Sequence, residues 1–168
     1  ETRAQITLKE TPIHTTGDWP STGSSAPDFR LTKSDLSDVG LDAYAGKKKI
    51  LNIVPSLDTG VCAASARRFN EEASKLDNTA ILTVSADLPF AQARFCEVEG
   101  IKNVEALSML RDKSFGKDYG IEIADGPMAG VLGRAIVVLD ENNKVVYTEL
   151  VPEIVQEPDY EKALAAVK

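Results

Sequence analysis

Two apolar runs with a helical segment between them constrain the fold more than any other feature of this chain. Residues 50–54 and 80–84 have the length and continuous apolar character of strands buried on both faces. Between them Ala66, Phe69 and Ala73 recur at three- and four-residue intervals, which predicts an amphipathic helix. This order predicts two parallel strands joined by a right-handed crossover.

Further segments extend this unit to an α/β fold. A second helix is predicted to begin near Asp87 and Pro89, to carry Phe95 and Cys96, and to end near Gly100. Shorter elements are predicted as a β-hairpin within residues 1–17, strands at 29–31 and 104–107, and a helix at 114–119, while residues 39–45 are ambiguous.

The C-terminal third completes a recognisable order of elements. Strands at 134–139 and 144–150 flank a polar turn, which predicts an antiparallel hairpin, and residues 158–168 are predicted as a helix. Parallel strands followed by a hairpin and a final helix are typical of the thioredoxin-like fold. We therefore expect a single domain over residues 1–168, in which helices flank a central mixed sheet and the β-hairpin of residues 1–17 forms an N-terminal extension.

Charge and hydropathy exclude several classes of function. The formal net charge of −7 argues against nucleic-acid binding, which needs a basic surface. No apolar run approaches the roughly 20 residues that a transmembrane helix needs. The first residues also lack the apolar stretch of a signal peptide. We expect a cytoplasmic protein that binds neither nucleic acid nor a membrane.

The two cysteines, Cys62 and Cys96, limit the chemistry further. Together with the single histidine, His14, they cannot supply the four Cys or His ligands of a structural zinc site. We therefore expect no metal and no cofactor, and the cysteines are either incidental or redox-active.

The segment from Pro55 to Cys62 is the most informative for function. It follows a predicted buried strand and leads into a predicted helix, so Cys62 is expected in the first helical turn. Unpaired N–H groups and the helix dipole favour a thiolate there, and the thiolate is the nucleophilic form of cysteine. Thr59 lies one turn earlier, where its hydroxyl can reach the sulfur, and Pro55 is placed to shield it from water.

These residues carry a family resemblance. The pattern Pro-x-x-x-Thr-x-x-Cys at residues 55–62 resembles the peroxidatic motif of the peroxiredoxins, and residues 52–64, 85–92, 94–96 and 124–127 resemble their bacterial thiol peroxidase branch. The resemblance implies that Cys62 is the peroxidatic cysteine and Cys96 the resolving cysteine. It also implies that Pro55 and Thr59 complete the active-site loop, and that Arg134 lies beside the thiolate.

The resemblance further implies an antioxidant enzyme of the atypical two-cysteine type. Its substrates would be hydrogen peroxide and organic hydroperoxides, and its intermediate would be a Cys62–Cys96 disulfide within one chain. Thioredoxin would be the reductant, and the protein would form a homodimer. Two other functions remain open: a redox sensor, and a thiol–disulfide oxidoreductase, although that class normally carries Cys-x-x-Cys. Cys96 could also be a buried apolar residue with no redox role.

Overall fold

A computed structural model describes residues 4–168. The strands in this range are β1 Gln5–Leu8, β2 Thr11–Thr16, β3 Leu31–Thr32, β4 Asp38–Val39, β5 Lys48–Ile53, β6 Thr79–Ser85, β7 Glu105–Ser108, β8 Glu122–Ile123, β9 Ala135–Leu139 and β10 Val145–Leu150. The helices are α1 Gly60–Ala73, α2 Pro89–Glu99, α3 Phe115–Asp118 and α4 Tyr160–Ala165, with a 3-10 helix at Leu41–Tyr44.

A mixed sheet forms the centre of the described chain, in the order β10-β9-β5-β6-β7-β3-β4. Strands β5, β6 and β7 are parallel neighbours, whereas β9 runs antiparallel to β5 and β10 antiparallel to β9. The predicted crossover unit, the C-terminal hairpin and the α/β thioredoxin-like class are thereby confirmed.

The sheet has an apolar cluster on each face because side chains alternate along its strands. Ile50, Val54 and Ile136 pack with α1 and α4 on one face, which we call the cysteine face because Cys62 belongs to the same cluster. Leu51 and Val137 pack on the opposite face, which α3 covers. Helices therefore flank both faces, as the continuous apolar runs predict.

The N-terminal β-hairpin is confirmed as β1 and β2, and residues 1–3 of the predicted extension lie outside the described range. The hairpin is not isolated, because β2 also pairs with β8, a strand that the sequence does not predict. Ile6 and Ile13 pack with Ile123 and Ile154 in a separate small core. This core fixes the hairpin to the segment that follows β10.

Most predicted boundaries lie within one residue of those in the structure, but two elements differ in a way that has a clear physical reason or extent. The strand predicted at residues 29–31 lies at Leu31–Thr32 instead. The backbone N–H groups of Phe29 and Arg30 donate to the side chains of Asp28 and Asp112, so neither joins a strand ladder. The C-terminal helix is shorter than predicted, since it begins only after its N-cap Asp159.

Within residues 4–168, no helix is both long enough and apolar enough to span a membrane.

Candidate active site

Cys62 lies in the first turn of α1, as predicted, with Thr59 as the N-cap. The helix begins where the loop after β5 ends, so the N–H groups of its first residues have no partner within the helix. The side chain is 0% exposed and packs in the apolar cluster of the cysteine face. The sulfur is therefore at a positive helix end but screened from bulk water.

Arg134 reaches Cys62 because of the sheet register. Ile53 is paired with Ala135 in the antiparallel β5–β9 ladder, so residue 134 lies at the end of β5, close to where α1 begins. Residue 134 faces the same side as Ile136, because side chains alternate along a strand. The Nη2 of Arg134 donates to the Sγ of Cys62 at 3.1 Å.

The guanidinium itself is nearly buried, at 3% exposure. Its Nε donates to the backbone carbonyl of Ile154 at 2.8 Å, which fixes the plane of the group. Among the described residues, Nη1 has no hydrogen-bond partner. The guanidinium thus places one N–H donor against the sulfur and a second donor, without a partner among the described residues, in the same buried site. A guanidinium can bind two acceptor atoms at once in this way.

Two buried polar side chains, Ser65 on α1 and Asn52 on β5, support the turn that holds Cys62. Ser65 donates from Oγ to the carbonyl oxygen of Cys62 at 2.9 Å, and Asn52 donates from Nδ2 to Ser65 Oγ at 3.3 Å. All three side chains are 0% exposed. Asn52 lies on β5, so this chain of hydrogen bonds ties the first turn of the helix directly to the central sheet. The sequence analysis did not assign either residue a role.

Thr59 and Pro55 lie in the same loop but differ in burial. Pro55 is buried directly after β5, whereas Thr59 is exposed. The Thr59 hydroxyl donates to the carbonyl of Ser56 at 3.1 Å. Within residues 4–168, this hydroxyl makes no hydrogen bond to the Cys62 sulfur.

Cys96 lies on α2, as predicted, and it is half-buried against the same apolar cluster as Cys62. Both cysteines are free thiols in this structure. Burial raises the pKa of the Cys96 thiol above its ordinary value. Cys96 and Phe95 line a cavity of about 10 Å³, and Leu57, from the loop before α1, lines it as well.

A groove of about 580 Å³ lies outside this cavity. Loop residues Ser56, Leu57 and Asp58 line one side of it, and the α2 residues Arg94 and Phe95 line another. The groove combines apolar and charged side chains and lies between the segments that carry the two cysteines.

Asp87 was predicted only to begin a helix, yet its carboxylate bonds to the loop before Cys62. Ser56 Oγ and the Leu57 N–H donate to it at 2.7 Å and 2.8 Å. A sequence signal for this contact does exist. Asp87 follows a strand predicted to be parallel to the one before Pro55, and the carboxyl ends of parallel strands meet at one edge of a sheet.

Comparisons with known proteins agree with the fold and identify the family. A family model described as Redoxin matches residues 21–164. The thiol peroxidase of Mycobacterium bovis is 57% identical over 164 residues, which cover 98% of this chain and 98% of that protein.

Solved structures extend the comparison. The crystal structure of a peroxiredoxin-like protein from Aquifex aeolicus has a TM-score of 0.93 at 36% identity, covering 99% of this chain and 98% of that one. A thiol peroxidase from Chromobacterium violaceum has the same fold, with a TM-score of 0.87 at 24% identity over 94% of this chain and 91% of that one. This chain belongs to the Redoxin family and, within it, to the bacterial thiol peroxidase branch of the peroxiredoxins.

Proposed function

We propose that this protein is a thiol-specific peroxidase that reduces hydrogen peroxide and organic hydroperoxides through Cys62. The observation that carries the proposal is the 3.1 Å hydrogen bond from Arg134 Nη2 to Cys62 Sγ in a buried site. A fixed guanidinium at this distance stabilises a thiolate, and a thiolate attacks the O–O bond of a peroxide.

In the first step, the Cys62 thiolate attacks one peroxide oxygen. An S–O bond forms, the O–O bond breaks, and the departing oxygen takes up a proton and leaves as water or an alcohol. Cys62 is left as a sulfenic acid. The unpartnered Nη1 of Arg134 and the free N–H groups of the first turn of α1 are donors for the peroxide oxygens as charge moves onto the leaving one.

Thr59 and Pro55 have supporting roles in this proposal. The Thr59 hydroxyl donates to a peroxide oxygen after it turns away from the Ser56 carbonyl, to which it is bonded in the reduced form. Pro55 is buried at the base of the loop and limits the access of water and of competing thiols to the sulfur.

In the second step, Cys96 attacks the Cys62 sulfenic acid. An S–S bond forms, the S–O bond breaks, and the hydroxyl leaves with the thiol proton as water. Both cysteines are in helices, and a disulfide requires Cα atoms within about 7 Å. We propose that one or both helices unwind locally at this stage, so that the two sulfurs can meet. Burial raises the pKa of the Cys96 thiol, so a movement that exposes this side chain also favours its nucleophilic thiolate form.

The groove between the loop and α2 supports the inclusion of organic hydroperoxides. Cys62 is 0% exposed, so a peroxide reaches it only when the loop moves. Leu57 and Phe95 give the groove an apolar side, against which an alkyl chain can pack.

Recycling of the disulfide requires an external dithiol, and we assign this role to thioredoxin. A reductant of this kind implies a reducing compartment, for which we propose the cytoplasm. We also propose a homodimer, on the basis of the family resemblance alone. Analytical ultracentrifugation of the reduced and the oxidised protein tests the assembly, and a monomer in both states would contradict it.

Turnover of hydrogen peroxide with thioredoxin and thioredoxin reductase tests the function. Cys62→Ser should abolish turnover, because a serine hydroxyl is not ionised near neutral pH. If the variant keeps even about a tenth of the activity, Cys62 is not the nucleophile. Wild-type protein that is oxidised rapidly at Cys62 but does not turn over would indicate a redox sensor instead.

Cys96→Ser tests the second step separately. Oxidation of Cys62 should remain fast in this variant, while the sulfenic acid persists and excess peroxide drives it to higher oxides. In the wild type, mass spectrometry after one equivalent of peroxide should find the Cys62–Cys96 crosslink within single chains. A crosslink between chains would contradict the intrachain assignment, and no crosslink would leave Cys96 as a packing residue.

A further inference from the structure

The carboxylate of Asp87 joins the two segments that carry the cysteines. Its Oδ1 accepts a hydrogen bond from Ser56 Oγ at 2.7 Å, and its Oδ2 accepts from the Leu57 N–H at 2.8 Å and from Ser85 Oγ at 2.8 Å. Ser56 and Leu57 lie in the loop that leads into α1, while Asp87 lies in the loop that leads into α2. We call this set of hydrogen bonds the Asp87 clamp.

The Asp87 side of the clamp is anchored to the sheet. Ser108 Oγ, at the end of β7, donates to the backbone carbonyl of Asp87 at 2.6 Å. In the first half of α2, Gln92 Nε2 donates to Ser85 Oγ at 3.0 Å and to the carbonyl of Leu107 at 2.9 Å. Displacement of Asp87 therefore disturbs the start of α2 and the ends of β6 and β7 together.

Leu57 is the residue that the clamp holds against the protein. Its side chain is 3% exposed and packs in the same apolar cluster as Cys62. It also lines the small cavity beside Phe95 and Cys96. Leu57 thus lies between the surroundings of the two cysteines, and movement of the loop toward Cys96 must first break the bond between its N–H and Asp87.

We propose that Asp87 is a positioning residue that keeps the Cys62 loop closed and couples its opening to that of α2. The clamp is closed in the reduced protein of this structure, and it must open before Cys96 displaces the hydroxyl of the Cys62 sulfenic acid as water. Asp87 exchanges no proton or electron in this step. The inference rests on the proposed function for its place in the cycle, but the closed clamp itself is a property of the reduced protein.

Amide hydrogen exchange of the reduced protein tests the clamp without any peroxide chemistry. Asp87→Asn keeps the shape of the side chain but replaces one acceptor oxygen and the charge. Opening should become about tenfold more frequent, so the amides of residues 57–63 and 90–96 should exchange faster together. Unchanged exchange, or faster exchange in only one of these segments, would overturn the coupling.

Asp140→Asn is the matched control. Asp140 is likewise a loop carboxylate that accepts backbone N–H groups, those of Asn142 and Lys144, but it does so in the turn between β9 and β10. Its substitution should change exchange only around that turn. Ser56→Ala removes a single hydrogen bond of the clamp, so amide exchange in the same two segments should become faster, but by a smaller factor. This variant replaces Asp87→Asn in the test if Asp87→Asn does not fold.

The second measurement follows the fate of the sulfenic acid. Rapid-quench mass spectrometry should show Cys62–Cys96 disulfide formation about tenfold faster in Asp87→Asn than in the wild type, with less sulfinic acid at the same excess of peroxide. The rate of peroxide attack is measured separately by stopped flow. An equal rate of disulfide formation would refute the role in the cycle. If the wild type itself forms no disulfide, the proposed second step fails while peroxide reduction at Cys62 stands, and the exchange experiment alone decides the clamp.

Discussion

Replacement of Arg134 is the most direct test of the chemistry at Cys62. The guanidinium is 3% exposed and lies 3.1 Å from the sulfur, so water cannot replace the hydrogen bond without rearrangement of the site. A hydrogen bond to a charged group is worth about 1.5–3 kcal/mol, and the loss of a donor that acts in a transition state costs about 100-fold or more in rate. We therefore expect Arg134→Met to slow the oxidation of Cys62 by about 100-fold.

Arg134→Lys separates charge from geometry. Lysine keeps the positive charge, but one ammonium cannot hold the carbonyl of Ile154, contact the sulfur and offer the spare donor with the geometry of a guanidinium. Its rate constant should lie between those of the wild type and Arg134→Met. Arg68→Met is the matched control, since Arg68 pairs with the exposed carboxylate of Glu161 and its loss changes the net charge equally.

The assay is stopped-flow oxidation of the reduced protein by hydrogen peroxide, with the rate constant taken from its dependence on peroxide concentration. Arg134→Met also leaves the Ile154 carbonyl without its donor, which should lower the free energy of unfolding by about 1–3 kcal/mol. Urea unfolding must therefore show that the variant is folded under the conditions of the assay. A folded Arg134→Met protein with the wild-type rate constant would refute the reasoning.

Three other predictions concern neighbouring groups. Thr59→Val should slow peroxide attack about tenfold but change the free energy of unfolding by less than about 1 kcal/mol. The effect on stability is small because the hydroxyl donates only to an exposed loop carbonyl in the reduced form. An unchanged stopped-flow rate would leave Thr59 as a helix cap. Ser65→Ala should lower the free energy of unfolding by about 1–3 kcal/mol, since buried Asn52 Nδ2 loses its acceptor; the urea midpoint decides this. Burial raises the pKa of the Cys96 thiol above its ordinary value, so its thiolate fraction at neutral pH falls. Its alkylation by iodoacetamide should be slower than that of a cysteine peptide and should accelerate only at higher pH, and peptide-like rates at neutral pH would contradict its burial.

The elements that define the architecture could be predicted from the sequence because each has a strong period or a clear boundary. Strands β5 and β6 are long apolar runs, and α2 begins at Pro89 and ends at Gly100, which takes the left-handed conformation. Strands β3 and β8 have two residues each, too few to display any period. Each forms because a neighbouring strand, β7 for β3 and β2 for β8, offers an edge with which it can pair. That edge is set by the tertiary structure and is not visible in the local sequence.

The site was predictable to a different degree at each residue. The position of Cys62 follows from a local pattern of strand, loop and helix. The contact with Arg134 instead depends on the pairing of Ile53 with Ala135 across the sheet, and no local pattern fixes that register. Only the family resemblance pointed to Arg134. The contact of Asp87 with the Cys62 loop was missed because a helix-start interpretation already accounted for an aspartate at that position.

The attachment of the N-terminal hairpin bears on where mutations that alter reactivity should be found. The backbone of Thr7 accepts a hydrogen bond from the N–H of Ile154, and the carbonyl of Ile154 in turn accepts one from Arg134. The hairpin is thus separated from the guanidinium by a single residue, although it is remote in sequence from both cysteines. A random mutagenesis screen for altered peroxide sensitivity should therefore recover substitutions in β1 and β2. Such substitutions would leave both cysteines unchanged and act by displacing the Arg134 guanidinium.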